Sequence, residues 1–344
     1  VAEGPFDLRA MVDSTGDRVK IEVDGDIGNL DLAIKGDIDK LLQPGSGYAE
    51  TRASGPNLRA LGEALGVKGL VPDPFEWAAD FALRDGILEV DNARLSTDLD
   101  ELTVSGNLST EAGMPNSNIV LALKSAEISR WGPLFGKSWN EQGAIDLDVI
   151  ANTDPGGVLS IDGSLMQGVS TLQMKGEVGP LSGPYDPDME FEFSSTEMPR
   201  LASLFDQPGL PGGQFNLKGH INKTGSELQL DDIEMSLNRH QAMIGGRVVL
   251  ERNFGGSDLD IHIEIPDLAE FGLLFNRPNL PAESMVLNAR LQPEGEGLAF
   301  QVSKTEVGDI RLKLDGKIAD IKNPIGIDAD FDIRFPNEEI LYLV

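Results

Sequence analysis

The side chains best suited to chemistry are few and poorly placed for it. The three histidines are His220, His240 and His262, and there is no cysteine. His220 and His262 alternate in step with charged neighbours, which puts them on the wet side of their segments as solvated surface. No zinc spacing and no nucleophile elbow is present. Asp24-Gly-Asp26 and Asp154-Pro-Gly-Gly157 begin like calcium loops, but neither runs on into the ligand pattern of an EF-hand, and turns account for both. With 57 Asp and Glu residues, any two carboxylates can pose as an acid–base dyad, so such pairs identify nothing. The expectation is a protein that is not an enzyme and has no metal or cofactor. What remains is the physical chemistry of apolar surface.

That surface is periodic. Gly36, Gly106, Gly176, Gly246 and Gly316 follow one another at intervals of 70 residues. Two positions before them stand Ile34, Val104, Met174, Ile244 and Leu314, and two after stand Ile38, Leu108, Val178, Val248 and Ile318. A period held over five anchors is one supersecondary unit used repeatedly. The expected architecture is mainly β, an elongated array of curled antiparallel sheet over 1–344. Its units are 1–70, 71–140, 141–210, 211–280 and 281–344, the last cut short.

Each unit reads as four strands and a short helix. In the second, 75–83 alternates apolar and polar from Phe75 and Trp77 onward. The matching pairs are Ile145 and Leu147, Phe215 and Leu217, Met285 and Leu287. Asp85-Gly86 is a hairpin signal, followed by a second strand over 87–95. The third strand carries the glycine, with Leu102, Leu172, Ala242 and Leu312 two positions before Val104, Met174, Ile244 and Leu314. The fourth contains Leu121 and Leu123, then Phe191 and Phe193, Ile261 and Ile263, Phe331 and Ile333. Second-strand alternation is offset by one at Val19 and Ile21 and at Leu159 and Ile161, which points to one-residue changes in the turns. Leu58, Leu61 and Leu65 have helical spacing, as do Ile128, Trp131 and Phe135, then Met198, Leu201 and Phe205, and Leu268, Phe271 and Phe275. Pro56, Pro266 and Pro336 share a slot at the helix start, expected at the first helical position. Gly4-Pro5-Phe6 reads as a first strand and 335–344 as the start of a fifth helix, so the chain looks excised from a longer array.

Strict alternation makes one face oily and the other wet. Lys35, Ser105, Lys175, Lys313, Glu190, Glu192, Asp260, Asp330 and Asp332 fall on the wet side. The oily face needs a cover: a closed core, packed blades, or a ligand in a trough. A helical stripe three residues wide is too narrow to cover four strands, which favours the trough. The net charge of −29 on 344 residues argues against nucleic acid and against lying flat on an anionic membrane. No run of 18 apolar residues is present.

The recurring Leu-x-Val-x-Gly-x-Leu strand, the helix start at Asp267-Leu-x-x-Phe and the connectors Leu210-Pro211 and Leu280-Pro281 resemble the AsmA-like family of bacterial envelope proteins (the AsmA, TamB and YhdP type). The likeness runs through all five units. It implies a periplasmic β-groove, tethered to the inner membrane by a segment absent here, that carries phospholipid or another acyl-chain lipid between inner and outer membranes. Groove-lining residues are then expected in the in-register rows named above. A lipid crossing water exposes roughly 30 methylenes at about 0.8 kcal/mol each, near 25 kcal/mol in all, most of which an oily groove removes. Strands about 4.8 Å apart would give roughly 95 Å of groove. The alternative is a scaffold or outer-membrane-protein assembly factor whose apolar face is a closed core.

Overall fold

A computed structural model describes residues 6–39, 45–136, 143–197, 212–250, 254–294, 297–319 and 327–336. The protein is mainly β, with 67% of it in strands. It divides into two compact units, Val1–Tyr185 and Asp186–Val344; the division falls inside 141–210.

The first unit contains β1 (Phe6–Thr15), β2 (Arg18–Ile27), β3 (Leu30–Asp39), β4 (Ser46–Gly55), β5 (Phe75–Arg84), β6 (Ile87–Thr97), β7 (Asp100–Ser109), β8 (Asn118–Ser125), β9 (Ile145–Thr153), β10 (Val158–Gln167) and β11 (Ser170–Pro180). Each pairs antiparallel with the next. The second contains β12 (Pro187–Ser195), β13 (Phe215–Thr224), β14 (Glu227–Leu237), β15 (His240–Val249), β16 (Asp258–Ile265), β17 (Met285–Glu294), β18 (Gly297–Val307), β19 (Ile310–Ile318) and β20 (Ile327–Arg334). These also pair consecutively and antiparallel. Among the described residues β1 pairs only with β2 and β20 only with β19, so the sheet is not closed into a barrel.

Short turns set this order. At Asp85-Gly86 both φ angles are positive, 50° and 78°, which matches the right-handed twist of the flanking strands. Asp154 caps its own turn, its Oδ1 accepting from the Val158 amide at 2.8 Å. Asp24-Gly-Asp26, expected in a turn, instead lies within β2, where Gly25 is opposite Leu8 and Leu32. A side chain on Gly25 would strike the Asp7 carbonyl.

The strands β3, β7, β11, β15 and β19 hold the five spaced glycines. On the preceding strand each glycine faces an apolar residue: Ile21, Val90, Ile161, Leu230 or Phe300. Gly106 and Gly246 have φ of 139° and 125°, which L side chains rarely adopt. A Cβ there would meet the carbonyl oxygens of Asn118 and Asp258, each at the start of the following strand. The close neighbour is that strand's backbone, not the helix.

The offset in the second strands is compensated inside the strands. β6, β14 and β18 have 11 residues each, and their register against the glycine strand shifts between Val90 and Ala93, Leu230 and Ile233, and Val302 and Thr305. β2 and β10 have 10 residues, and run in register through their glycine partners. The longer strands spend their extra residue on a β-bulge, with Asn92 and Asp232 at φ 52° and 50°.

Helix α1 (Leu58–Ala64) and α2 (Leu268–Leu274) start on side-chain caps. Asn57 Oδ1 accepts from the Ala60 amide at 3.1 Å, and Asp267 Oδ1 from the Ala269 and Glu270 amides at 2.9 and 3.1 Å. Pro56 and Pro266 therefore stand one residue before the cap, not at the first helical position. Leu65 closes α1 and is 72% exposed, outside the expected stripe. The segment Ile128–Phe135 is a 3-10 helix with Pro133 inside it; the missing proline N–H disfavours an α-turn there. Met198, Leu201, Phe205, Leu210-Pro211 and residues 337–344 lie outside the described residues.

Candidate functional site: two faces and a pocket

Cross-strand register turns the alternation into continuous rows. In the first unit one row reads Leu8, Gly25, Leu32, Ala53, Trp77, Leu95, Leu102, Leu123, Leu147, Leu165, Leu172, one residue from each of its eleven strands. Beside it run Ala93, Val104, Leu121, Val149, Gly163 and Met174. In the second unit the corresponding rows are Phe193, Leu217, Met235, Ala242, Ile263, Leu287, Thr305, Leu312, Ile333, and Ile233, Ile244, Ile261, Ala289, Val302, Leu314, Phe331, with Phe191 opposite Gly219. Thr305 is the one polar member of the first of these. The rows of the first unit thus collect Trp77, Leu102, Val104, Leu121, Leu123, Leu147, Leu172 and Met174. Those of the second unit collect Phe191, Phe193, Leu217, Ala242, Ile244, Ile261, Ile263, Leu287, Leu312, Leu314, Phe331 and Ile333.

Most of these side chains are half-buried. Met174, Ile333 and Phe331 are exposed, the last at 71%. Among the described residues only nine hydrophobic side chains are buried: Leu58, Val71, Phe75, Ala79, Ala93, Ile128, Trp131, Ala242 and Ile265. Several of these lie beneath the short helices. Phe75 is one: at 4% exposed it packs with Leu58 and Val71 under α1, so it is core and not groove lining. Phe215 has the same place at the start of β13, beside α2.

The opposite face carries charge in facing pairs. Lys35 meets Glu22 at 3.2 Å, Arg94 meets Glu101 at 3.1 Å, Lys124 meets Asp146 at 3.4 Å and Lys218 meets Glu234 at 2.9 Å. Exposed pairs of this kind contribute about 0.2–1 kcal/mol each; they favour register more than stability. Hollows on this face are lined by charge, one of about 730 Å³ bordered by Asp24, Asp31, Arg52, Glu76 and Arg94. His220 and His262 lie here as expected. Hydrogen bonding to Asp188 raises the His220 pKa, and bonds to Asn288 and Glu264 raise that of His262. Among the described residues no group of three or more His, Asp or Glu is placed to hold a metal ion.

The first residue of β7 is a buried polar anchor. Asp100, 6% exposed, accepts from Trp131 Nε1 at 3.2 Å, Thr97 Oγ1 at 2.9 Å and Arg130 Nη2 at 3.0 Å. Arg130 also binds Asp73. This network ties the 3-10 helix to the strand ends.

His240, the first residue of β15, was not legible as special from charge alternation. Its parity was the available signal, since it shares the even positions of Ala242 and Ile244. It is 3% exposed, and neither ring nitrogen has a hydrogen-bond partner. Its ring meets Phe271 edge-on at 5.1 Å. Burial lowers its pKa, opposed by the charge of Glu270. It borders an apolar cavity of about 230 Å³ together with Phe215, Met235, Leu237, Gln241, Ala242, Ile263, Ile265, Phe271 and Phe275.

No protein-family model, curated protein or solved structure matches the chain.

Proposed function

We propose that the chain is an array of five 70-residue units whose apolar band carries acyl-chain lipid, without catalysis, across an aqueous space in the bacterial envelope. The observation that carries this reading is the pairing of long apolar rows, interrupted only at Thr305, with incomplete burial. A side chain left half in water forgoes much of the roughly 1.5–3 kcal/mol available from full burial, and the two units repeat that arrangement strand after strand. Acyl chains laid along the rows would recover it. Exposed apolar bands rimmed by charge mark ligand or partner surfaces in general. The polar face, with its facing ion pairs, is suited to water.

The resemblance to AsmA-like proteins gives this reading its setting: the periplasm, a tether in the inner membrane, and phospholipid as cargo. The spacing of the glycine strands, which begin at 30, 100, 170, 240 and 310, supports the repeat. A band that passes lipid works in series, so one charged residue should stop it. Phe191→Asp with Ile261→Asp places two carboxylates on the band, each costing several kcal/mol to desolvate against acyl chains. The test is transfer of fluorescent phospholipid between donor and acceptor vesicles, with circular dichroism to verify folding. A folded double variant that no longer transfers lipid supports conduction. Undiminished transfer by that variant contradicts it, and unfolding of the variant would identify the band as closed core, as in a scaffold or assembly factor.

A further inference from the structure

We infer that the cavity under α2 is a binding pocket for an uncharged alkyl chain bearing one hydroxyl group, with His240 as its hydrogen-bond partner. The site shares Met235, Ala242 and Ile263 with the end of the apolar row. The pocket is framed by β13–β16 and α2, and its occupancy is decided beneath the helix.

The case begins with a comparison inside the chain. Asp100 stands 140 residues before His240, and Trp131 stands 140 before Phe271. In the earlier pair the indole Nε1 donates to the carboxylate at 3.2 Å, with Arg130, Thr97 and Ser125 completing the set. Both carboxylate oxygens of Asp100 are satisfied within the protein. In the later pair Phe271 has no donor to give, and position 270 holds Glu270 where the earlier segment has Arg130. Both nitrogens of His240 are left without partners, and a cavity of about 230 Å³ opens beside the ring. Buried polar groups are ordinarily satisfied, so an orphaned imidazole on an apolar cavity is a position from which a ligand can be held. For scale, an apolar cavity of about 150 Å³ stays dry and accepts benzene.

The chemistry of the walls selects the ligand. Phe215, Leu237, Ile263, Phe271 and Phe275 offer only hydrocarbon. Burial lowers the His240 pKa and so favours the neutral imidazole, which has one donor and one acceptor nitrogen. A hydroxyl group satisfies either. A carboxylate ligand is disfavoured, because Asp267 and Glu270 already face this corner and Arg239 is engaged with both of them.

The test uses the purified chain and reads the imidazole nitrogens by NMR, where three histidines give resolvable signals. Titration with n-octanol should shift the His240 resonances saturably and leave His220 and His262 unmoved. Octane should bind at least tenfold more weakly, and octanoate weaker still at neutral pH. Ala242→Phe should fill the cavity and remove the response, while His240→Phe should abolish the preference for alcohol over alkane, read by competition with a fluorescent alkyl probe. No shift of His240 at the solubility limit of n-octanol overturns the site, and equal affinity for octane overturns the role of His240. The wild-type titrations need no variant to fold. Failure here leaves lipid transfer along the band untouched, and loss of transfer leaves the His240 response untouched.

Discussion

Single residues decide where backbone can approach backbone. Gly106→Ala forces a Cβ against the Asn118 carbonyl from a φ of 139°, and should cost about 3 kcal/mol. Gly16→Ala, at φ 65° in a turn with nothing within 4 Å, should cost about 1 kcal/mol. Urea midpoints of the two variants check the contrast; equal midpoints would contradict the packing described. Histidine protonation should act in opposite directions. The folded pKa of His220 and His262 is raised above the ordinary 6.5, so their contribution is full below pH 6.5 and is lost as pH rises through the folded values. His240 is lowered below 6.5, so its burial is unpenalised above that pH and becomes destabilising as pH falls beneath it. His240→Phe should therefore make the second unit relatively more stable at pH 5.5 than the parent, and His220→Asn relatively less, measured by amide exchange in β15 and β13.

At the scale of elements, alternation made the strands legible and left their irregularities hidden. Phe75, Ile145, Phe215 and Met285 each open a strand where the pattern places one. A bulge, by contrast, shows in the sequence only as an offset that spacing assigns to a turn; it switches the inward parity from Leu88 and Val90 to Ala93 and Leu95, and the φ of Asn92 and Asp232 place it inside the strand. Likewise the spacing of Ile128, Trp131 and Phe135 fits a helix, but Pro133 makes it 3-10. The candidate site was legible as rows of apolar parity. The pocket was not, since His240 is lined by residues from four strands and a helix, and pairing across strands is not readable from spacing. The network under the 3-10 helix gives an element-scale prediction. Arg130→Met leaves Asp100 and Asp73 without their cation, Asp100 being 6% exposed, and should cost about 3 kcal/mol. Trp131 fluorescence during urea unfolding reports it; a midpoint unchanged from the parent would show that the network does not hold the helix.

For the molecule as a whole, charge and apolarity are divided between two faces of the same strands. A net charge of −29 favours solubility, while the half-buried rows leave apolar surface in reach of a ligand. On the proposed reading, that surface holds hydrocarbon. The central claim is that acyl chains occupy the band and not the polar face. Adjacent strand positions point to opposite faces, so the two faces can be probed one residue apart. A photo-reactive phenylalanine analogue is placed at Leu123 or Ile261 on the band, and at Lys124 or His262 on the polar face. After irradiation in cells, covalent phospholipid adducts are read by mass spectrometry. Adducts at Leu123 and Ile261, with none at Lys124 and His262, are the predicted result. Adducts at both faces alike, or at neither, would contradict the account.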